Sequence, residues 1–310
     1  MSRFVVGVDV GGTSVKIGTF DLNGKLIDKW EIPTVKDSVL TDVAKSIKEH
    51  FSEEYPEKDC EGIGIDVPGP VKNGGIVLEC VNLGWNMTDV KGKIEELTGI
   101  NTVVANDANA AAMGEAWMGG GRDADSMIMI TLGTGVGGGV IINGNVIEGS
   151  NGAGGEIGHI TVNPDETEHC NCGKAGCLEQ YASATGIVRL AKKGLATGKY
   201  TSSLSDIDNF SAKDVLDAAK KGDPLGSWVL DRAGFYLALA CSHIAQVVDP
   251  AVFVIGGGVS KAGPVLLSAI TKYYDGLVMN SLRGKEFRLA SLGNDAGIYG
   301  SAAMLVRQRK

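Results

Sequence analysis

The sequence has no uninterrupted apolar run approaching the roughly 20 residues of a membrane span. It also has no GK[ST] triplet and, across 310 residues, only six cysteines and four histidines. The first absence excludes a membrane-spanning helix, and 44% hydrophobic with 21% charged residues is the composition of a soluble globular chain. The second excludes a P-loop ATPase at the level of its motif. Positive charge is scarce as well: 29 Lys and Arg against 37 Asp and Glu give a formal charge of −8, which provides no broad basic surface for a nucleic-acid backbone. No nucleic acid is expected as a partner, so an anionic ligand has to be held by backbone N–H groups, a metal ion or a few placed Lys or Arg. The amino terminus, MSRFVVGVDVGG, passes straight into a strand-and-glycine pattern without the regions of a signal peptide, and the cytoplasm is the expected compartment. The length exceeds the usual single core of about 100 to 200 residues, so two lobes sharing a cleft are expected.

What is abundant is glycine, 45 residues, much of it clustered after apolar strands. Residues 4–34 read as three short strands joined by the turns GGT and NGK, an antiparallel meander. Helical spacing at Val39, Val43, Ile47 and Phe51 is followed by a strand in CEGIGIDV and a Pro-Gly-Pro loop. TVVAND is a strand that runs into the helix-forming ANAAAMGEAWM, which puts Asn106 and Asp107 at a strand-to-helix junction. SMIMITLGTGVGGGVIING repeats the opening theme, with Leu132-Gly133-Thr134-Gly135 answering Val10-Gly11-Gly12-Thr13 as in an internal duplication. Helices are expected over residues 185–198, 211–221 and 224–248, then a strand in AVFVIGG, a helix, a strand in FRLASLG and a closing helix.

Gly133, Gly135 and Gly138 satisfy GxGxxG, but the following GGVIING reads as another strand, so a dinucleotide pyrophosphate would lack its helix terminus. An NAD-dependent oxidoreductase is therefore a remote alternative. Two hairpin turns whose N–H groups and hydroxyls cradle a polyphosphate account better for the pattern. Asp9 at the end of its strand is suited to a Mg²⁺ shell, and Lys16 lies close by.

Asp9-Val10-Gly11-Gly12-Thr13 with Lys16, together with LGTGVGGGVIINGNVIEGSNGAGGEIGH, resembles the ROK family of repressors, open reading frames and sugar kinases, and within it the glucose-phosphorylating branch. The resemblance spans nearly the whole chain. It implies an α/β, two-lobed actin-like (ribonuclease-H-like) ATPase fold with duplicated hairpin-containing domains and a central cleft. The lobes are expected at 1–108 plus 297–310 and at 109–296, the second carrying a zinc-binding loop. It also implies ATP-dependent phosphorylation of D-glucose at the 6-hydroxyl, with other hexoses or N-acetylated amino sugars as alternatives in the class. A sugar-sensing repressor is a poorer reading, because the chain is acidic and starts at its first strand. A homodimer is expected by resemblance alone.

Asp107 reads from the residues alone as a helix cap, a position that favours Asp; the ROK match makes it the base that accepts the sugar hydroxyl proton. The resemblance also implies sugar-binding roles for Asn82, Asn106, Glu156, His159 and Glu179, with Gly69 nearby. It assigns phosphate contacts to Gly11, Gly12, Thr13, Gly133, Thr134 and Gly135, and nucleotide contacts to Gly256 and Gly257. Cys170, Cys172 and Cys177 form CxCGxxGC, a thiol density that in a reducing compartment points to a metal. A tetrahedral zinc needs a fourth ligand. His169 is adjacent in the chain but competes geometrically with Cys170, and the ROK pattern supplies His159. Four protein ligands make the expected Zn²⁺ structural. Cys60, Cys80 and Cys241 read as core thiols, and His50 and His243 as structural residues in helices.

Overall fold

A computed structural model describes residues 3–52, 55–72 and 74–307. Two compact units divide the chain: residues 1–125, 139–155 and 292–310 form the first, and 126–138 and 156–291 the second. Residues 109–125, 139–155 and 292–296, expected in the second lobe, group with the first unit. Among the described residues, no helix is long and apolar enough to cross a membrane.

In the first unit, β1 (Phe4–Val10), β2 (Ser14–Asp21) and β3 (Leu26–Pro33) form the expected antiparallel meander. Two parallel strands, β4 (Cys60–Val67) and β8 (Thr102–Asn106), extend it to the order β3-β2-β1-β4-β8. Helix α1 (Val39–Glu49) buries Val39, Val43 and Ile47; it ends before Phe51, so the expected fourth position of the stripe lies beyond the helix. His50, expected within the helix, is instead its C-cap and stacks on Trp30 with ring centroids 3.8 Å apart. A small sheet of β5 (Val71–Lys72), β6 (Ile76–Cys80) and β7 (Trp85–Asp89), followed by α2 (Val90–Thr98), occupies a stretch in which the sequence showed no period.

Helix α3 (Asp107–Met118) and the closing helix α9 (Ala296–Arg307) cross at glycine, and this is what joins α3 to the first unit. A Cβ at Gly300 would stand 1.6 Å from the Ala110 carbonyl oxygen, and one at Gly114 2.4 Å from that of Ala296. The sheet is bare at the same level: a Cβ at Gly7 would meet the Ile298 carbonyl at 2.0 Å and one at Gly64 that of Ser301 at 1.8 Å. Four missing side chains let one helix lie directly on two strands and on a second helix.

The second sheet has the order β11-β10-β9-β12-β13, formed by β9 (Met127–Leu132), β10 (Val136–Ile142), β11 (Asn145–Val146), β12 (Val252–Gly256) and β13 (Glu286–Leu289). β9, β12 and β13 run parallel, as β1, β4 and β8 do, so the duplication read from the two glycine turns extends to strand order. Residues of β10 after Gly138, with β11, belong to the first unit. The helices of the second unit are α4 (Glu179–Ala182), α5 (Ala184–Ala196), α6 (Ala212–Lys220), α7 (Pro224–Val248) and α8 (Pro264–Leu277). α7 starts and stops where expected, with Asp223 as its cap.

Gly300→Ala should destabilise the first unit by about 3 kcal/mol, since overpacking against backbone cannot relax by a rotamer change. Gly276→Ala, at an exposed helical position with nothing within 4 Å of the new methyl, should stabilise by about 0.5–1 kcal/mol. Denaturant unfolding of both variants checks this, and equal effects would contradict the packing account.

Candidate active site

Asn106 ends β8 in extended backbone, and its Oδ1 accepts the N–H groups of Ala108 at 3.0 Å and Asn109 at 3.4 Å. Asn106, and not Asp107, is therefore the N-cap of α3. Its Nδ2 donates to the Gly69 carbonyl at 3.1 Å, which fixes the loop after β4 against the junction. Asp107 Oδ1 accepts the Ala108 N–H at 2.8 Å. Desolvation by the surrounding protein pushes its carboxyl above the ordinary aspartate range; the Ala108 N–H opposes this, and the charge of Asp9 adds to it.

Asp9 lies near the end of β1, with Lys16 Nζ 3.5 Å from its Oδ2 and also donating to the Asn294 carbonyl at 3.1 Å. The turn after it is tight: Gly11 N–H donates to the Ser14 carbonyl at 3.0 Å, and Thr34 Oγ1 donates to the Gly11 carbonyl at 2.8 Å. A Cβ at Gly12 would lie 3.8 Å from Asn82 Cβ, so the expected sugar residue Asn82 stands beside the first glycine turn.

A third carboxylate was missed by sequence reasoning. Asp66 on β4 pairs in register with Asp9 on β1 and is fully buried. A Cβ at Gly297, in the first turn of α9, would come within 2.8 Å of Asp9 Cγ and 3.0 Å of Asp66 Oδ2, so both carboxylates lie against a helix amino terminus. Ser301 Oγ stands 2.8 Å from Asp66 Oδ2 and 3.2 Å from the Val8 carbonyl. Asp66 Oδ1 is buried and has no hydrogen-bond partner among the described residues, which disfavours a charged carboxylate there. Burial pushes the Asp66 carboxyl well up, the Asp9 charge pushes further, and Ser301 only partly opposes them. The available signal was an acidic residue inside the apolar run GIGIDV.

In the second unit the glycine turn 133–135 is pinned by α5: Ala184 N–H donates to the Gly133 carbonyl at 2.8 Å and Thr185 Oγ1 to that of Thr134 at 2.9 Å. Glu179 Oε2 accepts the Val136 N–H at 3.0 Å, and a Cβ at Gly135 would sit 2.2 Å from that oxygen. Gly135 is thus required for Glu179 to reach the strand. Its other oxygen, Oε1, lies 3.6 Å from Cys170 Sγ. His159 points Nδ1 at Cys170 Sγ, 3.8 Å away, and Nε2 at Glu156 Oε2, 3.9 Å away. Cys172 and Cys177 Sγ are 3.6 Å apart, and ligand atoms of His159, Cys170, Cys172 and Cys177 all lie within 4.8 Å of one another. Tetrahedral Zn²⁺ with bonds of about 2.3 Å to sulfur and 2.0–2.1 Å to nitrogen separates its ligand atoms by about 3.6–3.8 Å, so the donor set fits. His169 turns away and hydrogen-bonds the Gly173 carbonyl at 3.0 Å.

Beside Gly133 and Thr134 opens a pocket of about 610 Å³, walled by Ala212 and Leu216 of α6 and by Val259 and Ala262. Gly256 is buried at the end of β12. Gly257 adopts φ 83°, and a Cβ there would stand 2.6 Å from the Leu132 carbonyl oxygen; the wall itself begins at Gly258. The α6 wall was not read from the sequence, because its residues lie some 80 positions from the turn they face. The expected strand after LGTGVG is present as β10, which removes the helix terminus that a dinucleotide site needs.

Strand order, glycine turns and carboxylate-bearing junction define an α/β protein of the actin-like, ribonuclease-H-like class. The ROK family pattern matches residues 5–309, and the chain belongs to that family. It is 44% identical to a glucokinase of Halalkalibacterium halodurans over 99% of this chain and 96% of that one. To a glucokinase of Thermotoga maritima it is 36% identical over 97% and 96%. The structure of a ROK family glucokinase from Streptomyces griseus, in complex with glucose and AMPPNP, superposes with a TM-score of 0.72 at 33% identity, covering 98% of this chain and 99% of that one.

The raised carboxyl of Asp66 sets a pH prediction. A folded value above the unfolded 3.8 gives stability that is fully present below pH 3.8 and is lost as pH rises through the folded value. Asp66→Asn keeps a donor for Ser301 and has no proton to lose, so its melting temperature relative to wild type should rise between pH 4 and pH 8. A pH-independent difference would contradict a protonated Asp66.

Proposed function

We propose that this chain transfers the γ-phosphoryl group of ATP to the 6-hydroxyl of D-glucose, giving glucose 6-phosphate and ADP. The observation that carries the reading is Asp107: a carboxylate of raised affinity for a proton, relieved of capping by Asn106, in a chain 44% identical to a glucokinase along nearly its whole length. Such a group is suited to take the proton of the attacking hydroxyl as the bond to phosphorus forms. In the first unit, Asn106 and Asn82 orient sugar hydroxyls, with the loop at Gly69 held in place by Asn106. In the second, Glu156, His159 and Glu179 contribute planar or bidentate partners.

The turns Gly11–Thr13 and Gly133–Gly135 present N–H groups to the phosphates. The 610 Å³ pocket beside the second turn, with its apolar wall of Ala212, Leu216, Val259 and Ala262, suits a purine ring; Gly258 lines it, while the expected nucleotide residues Gly256 and Gly257 lie behind that wall. Asp9, a carboxylate opening on the first turn with Lys16 beside it, would hold the Mg²⁺ shell of the nucleotide. Bound Mg²⁺ neutralises charge on the β- and γ-phosphates. His159, Cys170, Cys172 and Cys177 would hold a structural Zn²⁺, leaving no ligand position for substrate. Its role is to close the loop between His159 and Glu179. With Nδ1 facing the thiols, His159 Nε2 remains an oriented donor toward Glu156 and the sugar. Free thiols at this density suit a reducing, cytoplasmic setting, and a homodimer is the proposed assembly.

Asp107→Asn should lower kcat by about 10²- to 10⁴-fold while glucose binding, followed by intrinsic fluorescence, is largely kept. Near-normal turnover would remove Asp107 from the base role. In wild type the acid limb of kcat/KM should fall above the ordinary aspartate value of 3.8, because the base must be ionised and burial raises its carboxyl. Chelation of zinc, or Cys172→Ser, should raise the glucose KM by about 10-fold or more and lower stability with less effect on kcat, since loss of the metal should cost at least as much as the roughly 10- to 100-fold lost with an outer-shell partner. Unchanged glucose affinity in folded, zinc-free protein would break the link between loop and sugar.

A further inference from the structure

The loop from His159 to Glu179 is held at a second place, away from the thiols. Arg189 on α5 spends its guanidinium in three directions: Nε donates to Glu168 Oε2 at 2.7 Å, one terminal nitrogen to Glu166 Oε2, and the other to the Gln180 carbonyl at 3.2 Å. Lys193, one turn further along α5, reaches Glu168 Oε1 at 2.7 Å. The Tyr181 hydroxyl donates to Glu166 Oε2 at 2.8 Å and accepts from Asn163 Nδ2 at 2.8 Å. Glu166 Oε1 accepts the N–H groups of Thr167 and Glu168, both at 3.1 Å. Gln180 closes the ring, donating to the Glu168 carbonyl at 2.8 Å and accepting the Cys177 N–H at 3.1 Å.

Every branch of this network ends on the loop or on the residue after Glu179, and none of its links is a thiol. The Glu166 side chain is 9% exposed and that of Arg189 20%, so both charges are largely removed from water. A buried ion pair of this kind adds little net stability over an apolar alternative, but it specifies one geometry, because a planar fork satisfies three acceptors only in one arrangement. That geometry brings residues on either side of Cys170 and next to Glu179 to a single rigid helix.

We propose that Arg189 is a positioning residue: it brackets the loop independently of metal, so that the ligands and Glu179 are already in place before Zn²⁺ binds. Metal binding to an ordered loop has no ordering cost. Without the bracket that cost falls on the metal, and affinity should drop by about 10- to 100-fold, the range seen when outer partners of metal ligands are removed. The consequence for the reaction rests on the proposed sugar contacts of His159 and Glu179.

Hydrogen exchange on metal-free, full-length protein tests the bracket directly. The amides of Val162, Cys170 and Leu178, which donate to the carbonyls of Gly176, Lys174 and Ile160, should be protected in wild type. Arg189→Ala and Arg189→Lys should both lose that protection while other amides keep theirs. Unprotected amides in metal-free wild type, or protection retained in Arg189→Ala, would overturn the proposal. So would an Arg189→Lys variant that matches wild type, since a single ammonium cannot make the fork. Co²⁺ titration, read from thiolate-to-metal absorption, should give 10- to 100-fold weaker binding in both variants; equal affinity would also overturn it. Tyr181→Phe, which removes one hydroxyl and keeps the ring, should weaken protection of the same three amides, so a variant at Arg189 that fails to fold still leaves a deciding measurement. In metal-loaded Arg189→Ala the glucose KM should rise with kcat less affected. A normal KM alongside lost protection would count against the sugar contacts of the loop and leave the bracket standing.

Discussion

The close seat of α9 on glycine is the constraint on which the first unit depends. Side chains at Gly7, Gly64, Gly114 or Gly300 would each collide with backbone within 2.4 Å. Their absence allows the helix to descend between sheet and α3, and its amino-terminal turn then arrives beside Asp9 and Asp66. Close packing of this order is unforgiving, because backbone on both sides cannot move aside. The same contact fixes α3, and through α3 the position of Asp107 at the end of β8. Three acidic side chains are thus arranged by a surface that has almost no side chains of its own. Burial, and then the nearby charge of Asp9, push the Asp66 carboxyl upward, while Lys16 stands 3.5 Å from Asp9.

In the second unit the corresponding organiser is a carboxylate. Glu179 joins the strand after the glycine turn to the thiol cluster: one oxygen is on the Val136 N–H and the other is near Cys170. The bare face of Gly135 admits it. The glycine turn 133–135, Glu179 and the thiol loop consequently share one local structure, so the proposed phosphate, sugar and metal contacts are mechanically linked. The two clamps on the loop are chemically unlike. One is a set of soft ligands for a cation, and the other is a charge-assisted hydrogen-bond network around Arg189.

Much of this was legible in the sequence where a short-range pattern carries the signal. Alternating apolar residues around GGT and NGK gave the meander, the strand after LGTGVG made the dinucleotide fold a remote alternative, and CxCGxxGC announced its cluster. The small sheet at residues 71–89 was not legible, since its strands are two to five residues long and mostly half-exposed, with no face to show a period. Asp66 was hidden for a different reason: its meaning comes from register with Asp9, 57 positions away, and from a serine on the last helix. Asn106 and Asp107 are both good caps by composition, and only the backbone turn decides which of them serves. The bonds of Arg189 likewise join residues 9 to 23 positions apart that no period relates.

The central claim is that these carboxylates and turns serve phosphoryl transfer from ATP to glucose. The most direct measurement is a matrix of steady-state rates, with glucose, fructose, mannose and N-acetylmannosamine set against ATP, ADP and polyphosphate, and the product located by phosphorus NMR. The account predicts the highest kcat/KM for glucose with ATP and a phosphate on the 6-oxygen. A clear preference for another sugar or donor, or ATP consumption without a phosphorylated sugar, would contradict it.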